Sequence, residues 1–247
     1  MNKVIELLKQ HRSIRRYTDQ PISEELLGSL IEAGQMASTS SFIQAVSVVR
    51  ITGEQARAEF AELAGNQPYI ESAAEFLVFC ADFSRNQVRA GEVAEQEMDY
   101  AWAEQFISAT VDVGLFAQNV VIAAESEGLG CCYIGGIRND PDRVTQLLSL
   151  PKLVYPVFGL CVGFPDQDPD PKPRMPLEAV LHQGRYREVG EYQSVLDDYD
   201  TFVKQYYVQR TNGKLDSTWS ELMAKQAISQ KRPFMKKYIK KQGFMIK

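Results

Sequence analysis

Histidine is nearly absent: His11 and His182 are the only two in 247 residues. That scarcity excludes a metal centre built on several imidazoles, because zinc and most transition-metal sites draw two or three ligands from His and Cys. The four cysteines, Cys80, Cys131, Cys132 and Cys161, each sit in an apolar run and never take C-x-x-C spacing, so neither a zinc ribbon nor a thioredoxin-type couple is encoded. Reduced, buried thiols suit a reducing compartment, and the chain reads as cytoplasmic. No basic-then-apolar leader follows Met1, and no apolar run approaches the roughly 20 residues of a bilayer span, so a complete chain with no membrane partner is expected. Also missing are the G-x-S-x-G elbow of serine hydrolases and the G-x-x-x-x-G-K-[ST] phosphate loop. Gly128-Leu129-Gly130 begins a dinucleotide fingerprint, but Tyr133 stands where its third glycine belongs. Positive charge is short as well. With a formal net charge of −5, a general polyanion-binding face and a nucleic-acid partner are excluded, and any positive potential must be local.

What is present suffices for a large core. Hydrophobic residues make up 45% of the chain and charged ones 24%, which suits one α/β or α+β domain. Val4 to Gln10 reads as a short helix. Ser23, followed by Glu24 and Glu25, caps a second helix running to Met36, with Leu26, Leu30 and Ala33 on one face. Ala45 to Thr52 and Glu75 to Ala81 are β-branched and apolar, hence strands, the second buried on both faces, with a helix over Glu54 to Ala64 between them. From about Ala94 to Gly128 a long helical pattern repeats Ile107, Val111, Leu115, Asn119 and Ile122, and its second half has little polar face. Such a helix is central, buried by its own domain on one side and open to a partner subunit on the other. A strand from Cys131 emerging into a double-glycine turn at Gly135-Gly136, a helix over Asp140 to Leu148 and a strand over Val154 to Gly163 follow. Helices around Tyr192 to Val208, from Ser217 and from Pro233 close the chain. Helices and strands alternate, but not strictly.

Two basic segments stand out in this acidic chain. His11-Arg12-Ser13-Ile14-Arg15-Arg16 packs donors and fixed charge into one turn, suited either to a phosphate or to a solvated helix end. In Asp170 to Pro176, prolines on alternate positions hold Lys172 and Arg174 in an extended segment, either a cationic cradle or a plain surface loop. Gly135-Gly136 lacks Cβ atoms, so its backbone could approach a flat ring or simply end a strand. Ala37 to Ser41 carries small hydroxyls that could line a polyol or satisfy a turn. Gln67 and Tyr69 supply an amide and a ring ahead of the second strand.

Taken in order, these segments resemble the FMN-dependent nitroreductase family, in particular its NADPH-preferring branch of oxygen-insensitive nitroreductases and NADPH:flavin oxidoreductases. The carriers are His11 to Arg15, Ser38 to Phe42, Ala74 to Asp82, Ala123 to Gly130, Tyr133 to Gly136, Lys172 to Arg174, and Arg210 to Gly213 with Trp219. The resemblance implies a homodimer of α+β fold, with a central, mainly antiparallel sheet flanked by helices and the long helix at the dimer interface. Residues 1–247 would form a single nitroreductase-like domain, in which 170–247 is a C-terminal helical extension embracing the partner. It implies that His11, Ser13, Lys172 and Arg174 hold the FMN phosphate and that Arg12 and Arg15 reach the ribityl chain and pyrimidine edge. Thr39 and Ser41 would come from the other subunit. Gln67 and Tyr69 would border the isoalloxazine, while Tyr133, Ile134, Gly135 and Gly136 approach it from the backbone side. Arg210 and Lys214, in a stretch resembling a mobile basic loop, would bind the NADPH 2′-phosphate.

The activity so implied is NADPH oxidation with ping-pong hydride transfer to small planar acceptors: nitroaromatics, quinones or free flavins. The chemistry lies on the flavin, so no catalytic acid or base is required of the protein. A fixed cation such as Arg15 would stabilise the negative charge of the reduced ring. The alternative is a flavin-binding carrier or sensor without turnover.

Overall fold

The computed structural model describes residues 2–229 and 232–247. The chain divides into two compact units, one of Met1–Asp170 with Arg232–Lys247, the other of Pro171–Lys231.

The first unit is built on four antiparallel strands, β1 (Val46–Arg50), β2 (Glu75–Asp82), β3 (Gly130–Ile134) and β4 (Val154–Gly163), in the order β1-β2-β4-β3. This settles the class as α+β. Every residue of β2 is buried. Successive side chains serve opposite faces: Leu77, Phe79 and Ala81 enter one core cluster, and Phe76, Val78 and Cys80 the other. The ends of β2 are charged yet satisfied. Buried Glu75 receives the Arg50 guanidinium at 2.6 and 2.7 Å, and Asp82 accepts from the Ser84 N–H at 2.8 Å, so their desolvation cost is offset.

Helices cover both faces. α1 (Lys3–Lys9) and α2 (Glu24–Gln35) precede β1; α3 (Glu54–Leu63) and α4 (Tyr69–Ser72) link β1 to β2; α5 (Ser84–Ala94) and α6 (Ala103–Ser126) lead to β3; α7 (Pro141–Leu147) leads to β4. As the sequence predicts, Ser23 caps α2, its hydroxyl accepting from Leu26 N–H at 3.1 Å. The buried face of α2 is Leu27, Leu30 and Gly34 rather than Leu26, Leu30 and Ala33. Gly34 explains the rotation, since a Cβ there would lie 2.4 Å from the Phe116 ring, and its absence lets α2 press on α6.

The long helix also needs correction. It begins at Ala103 rather than near Ala94, and a helix the sequence reading did not name, α5 over Ser84–Ala94, precedes it and is ended by Glu95 in a left-handed conformation at φ 53°. α6 buries Val113, Phe116, Ala117, Val120 and Val121. Ile107, Val111 and Leu115 are 54%, 54% and 46% exposed, so the apolar repeat marks the outward face. By length and composition the helix is apolar enough to cross a bilayer, contrary to the expectation that no apolar run approaches a bilayer span. Its inner face belongs to the core around Phe79 and Leu160.

β3 ends at Ile134, and the double glycine opens a 3-10 turn over Gly135–Asn139, as the sequence predicts. α10 (Met235–Lys241) packs near α7, the Tyr238 hydroxyl meeting Thr145 Oγ1 at 2.6 Å. The second unit contains α8 (Gln193–Thr211) and α9 (Trp219–Ile228), the latter opened by a reciprocal Thr218–Glu221 cap.

Candidate functional site

The basic turn lies where α1 hands the chain to the sheet. Beyond α1, Ser13 pairs with Cys131 of β3, and Ile14 N–H donates to Cys131 O at 2.9 Å. Gly130 permits this docking, since a Cβ there would sit 2.5 Å from Ile14. His11 Nδ1 meets Glu125 Oε1 of α6 at 2.6 Å. Arg12 donates to Gln10 O at 2.9 Å and pairs with Asp168, while its Nε is buried with no partner among the described residues. Arg12, Glu125 and Asp168 line a 590 Å³ cavity together with Gln10, Gly130 and Gln167.

A second group adjoins the turn through Arg15, whose guanidinium carbon lies 5.9 Å from the Tyr69 ring centroid. Tyr69 Oη donates to Gln67 Oε1 at 2.6 Å, and Gln67 Nε2 donates to Ala64 O at 2.7 Å. Burial pushes the Tyr69 phenol up, against the pull of Arg15, and pushes the Cys132 thiol up against the same charge. The Cys132 thiol is therefore protonated apolar filler. Tyr133 packs edge-on against Phe158 with centroids 5.0 Å apart, and burial raises its phenol also. Gly136 departs from the expected open approach to a ring: a Cβ there would lie 2.4 Å from Ala64 O and 2.9 Å from Ala64 Cα, so the glycine is required by contact with the end of α3. Only Gly135 retains freedom, its nearest neighbour being the Arg138 side chain.

Thr39 and Ser41 belong to a different place. Ser41, Phe42 and Gln44 all have left-handed φ, and the loop is pinned by Ser40 N–H donating to buried Asp112 at 3.1 Å and by Asn86 Nδ2 donating to Ile43 O at 2.9 Å. Burial pushes the Asp112 carboxyl up, opposed by that N–H. Among the described residues no hydrogen bond joins this loop to His11, Arg12, Ser13 or Arg15. Thr39 lines a separate 380 Å³ cavity with Arg85, Arg89 and Phe116.

Lys172 and Arg174 lie in the second unit, where Arg174 donates to Lys172 O at 2.8 Å. Both border a 380 Å³ cavity walled by Tyr199, Tyr207 and Trp219. Arg210 is not in a loop, as expected from its glycine-containing surroundings, but in the last turn of α8 against the Tyr206 ring at 5.7 Å. The turn proper begins at Asn212, φ 51°, and Gly213, φ 79°, and leads to Lys214. Sequence reasoning missed Glu125, Asp168 and Asp112; a lone carboxylate gives no local pattern, and each is defined only by a distant partner.

Guanidinium, imidazole and hydroxyl donors beside a half-buried phenol and amide suit a flat ligand with an anionic tail, and the partnerless Arg12 Nε adds a buried donor to that set. The fold is that of an α+β protein whose basic turn is docked on the edge of its sheet. The chain belongs to the Nitroreductase family, matched over residues 8–164, with the family's C-terminal domain over 172–247. It is 42% identical to the FMN reductase (NADPH) of Bacillus subtilis, covering 99% of each chain. It is likewise 42% identical to the oxygen-insensitive NADPH nitroreductase of Salmonella typhimurium, again over 99% of each. Among solved structures, B. megaterium NfrA1 superposes with a TM-score of 0.96 at 45% identity, over 99% of this chain and 100% of that one.

Proposed function

We propose that the protein is an FMN-dependent NADPH oxidoreductase that passes hydride, by a ping-pong route, to nitroaromatics, quinones or free flavins. The observation that carries this reading is the donor-rich turn His11 to Arg15 seated on β3 next to Tyr69 and Gln67. FMN, when bound, supplies the centre that accepts and then donates hydride. His11, Ser13, Lys172 and Arg174 bind its anionic tail, and Arg12 reaches the ribityl chain. Arg15 offers a fixed cation to the ring's polar edge, and Gln67, Tyr69 and the stretch from Tyr133 to Gly136 shape the ring's bed. The enzyme is a homodimer closed by the outward apolar stripe of α6, with Thr39 and Ser41 given to the partner's site and 170–247 serving as a C-terminal extension of one nitroreductase-like domain. Four free, buried cysteines support a cytoplasmic setting.

Purified protein is expected to release FMN on denaturation, to bleach anaerobically with NADPH, and to turn over NADPH with a quinone. A colourless protein that does not take up FMN overturns the reading. Full FMN occupancy without steady-state NADPH oxidation leaves a carrier or sensor instead. For the pyridine nucleotide, Arg210→Ala is expected to raise KM for NADPH by about tenfold with little change for NADH, because the 2′-phosphate loses one guanidinium fork. Equal effects on both would remove Arg210 from that role.

A further inference from the structure

We propose that Glu125 is a positioning residue: it holds the His11 ring with Nδ1–H toward α6 and turns Nε2 toward the flavin phosphate, an inference that rests on the function proposed above. The contact is 2.6 Å, between a His11 side chain 28% exposed and a Glu125 side chain 12% exposed. A ring nitrogen and a carboxylate oxygen at that distance require a proton between them, because two lone pairs would repel. With Nδ1 so engaged, Nε2 is the only ring atom left to meet an anion, and it makes no hydrogen bond among the described residues. To meet a phosphate oxygen, which only accepts, Nε2 must donate, so in the complex the ring donates from both nitrogens, one to the carboxylate and one to the phosphate.

The surroundings give this contact a second purpose. Glu125 shares its cavity with Asp166 and Asp168, against the single guanidinium of Arg12. From β3 it is faced by Cys131 and Tyr133, both raised mainly by burial and further by the Glu125 charge. An unpaired carboxylate here would repel a phosphate, and pairing it with His11 converts a repulsive neighbour into a support. His182 provides the opposite case within the same chain: its Nδ1 accepts from the Arg187 backbone N–H at 3.0 Å, so it carries no proton there. The two histidines of this protein therefore differ at Nδ1.

That difference makes the test direct. In full-length protein labelled with 15N-histidine and free of flavin, two-bond proton–nitrogen correlation is expected to show a protonated Nδ1 for His11 and an unprotonated Nδ1 for His182, with His182→Asn assigning the signals. In FMN titrations, Glu125→Gln is expected to weaken binding about tenfold in the wild-type background and less than about twofold in a His11→Asn background. An unprotonated His11 Nδ1, no loss in Glu125→Gln, or the same tenfold loss in both backgrounds overturns the positioning role while leaving the flavin reading intact. A wild-type protein that takes up no FMN overturns the flavin reading itself, and with it the phosphate-facing role of His11.

Discussion

Gly136→Ala is expected to lower the unfolding free energy by about 3 kcal/mol, at the upper end for overpacking a filled site. The added methyl would lie 2.4 Å from Ala64 O, 2.9 Å from its Cα and 3.0 Å from its carbonyl carbon, all backbone atoms with no rotamer to yield. Relief requires moving the end of α3 away from the turn after β3. Ala64 O is also the acceptor for Gln67 Nε2, and Gln67 Oε1 holds the Tyr69 hydroxyl, so the displacement travels into the ring-binding strip. FMN affinity is therefore expected to fall together with stability. Gly135→Ala is the internal control: its new Cβ would meet only the far end of the Arg138 side chain, at 3.2 Å, so the strain falls on one guanidinium, which donates to Val157 O, rather than on backbone, and a smaller loss is expected. Urea unfolding of both variants checks the pair. Equal stabilities would mean that α3 and the 135–139 turn do not press together as described.

Arg15→Met is expected to reduce kcat/KM for NADPH oxidation by about a hundredfold, the size of effect seen when one preorganised electrostatic partner is removed. Arg15 is placed for such a role by the Tyr69 ring beneath it and by Ile14, buried directly before it and bonded to Cys131. Met preserves length and apolar contact but removes the fixed charge. Arg16→Met supplies the comparison, because Arg16 reaches outward to Asp166 with a side chain 69% exposed, and its loss is expected to leave the rate within about twofold. A hundredfold loss shared by both variants, or by neither, would contradict the assignment of Arg15.

Much of the fold was legible because its signals are local. The capped start of α2, the unbroken apolar run of β2 and the Gly128 end of α6 each depend on residues within one or two turns. The misread portions depend on partners far along the chain. Gly34 sets the buried face of α2 only because Phe116 lies opposite, and Gly136 is a packing residue only because Ala64 stands against it. The break between α5 and α6 passed unseen because Glu95, an ordinary helix former, takes the left-handed position that glycine usually marks. At the site, the basic turn announced itself through composition. Its carboxylate counterparts, Glu125 and Asp168, lie more than a hundred residues away in sequence and carry no motif.

The central claim is that cationic and hydroxyl side chains grip the phosphate of a flavin, and the affinity of the flavin-free protein for FMN against riboflavin tests it most directly. Riboflavin presents the same ring and ribityl chain without the dianion, so the two should differ by at least about a hundredfold in Kd in favour of FMN. Equal affinities for the two flavins would contradict the account.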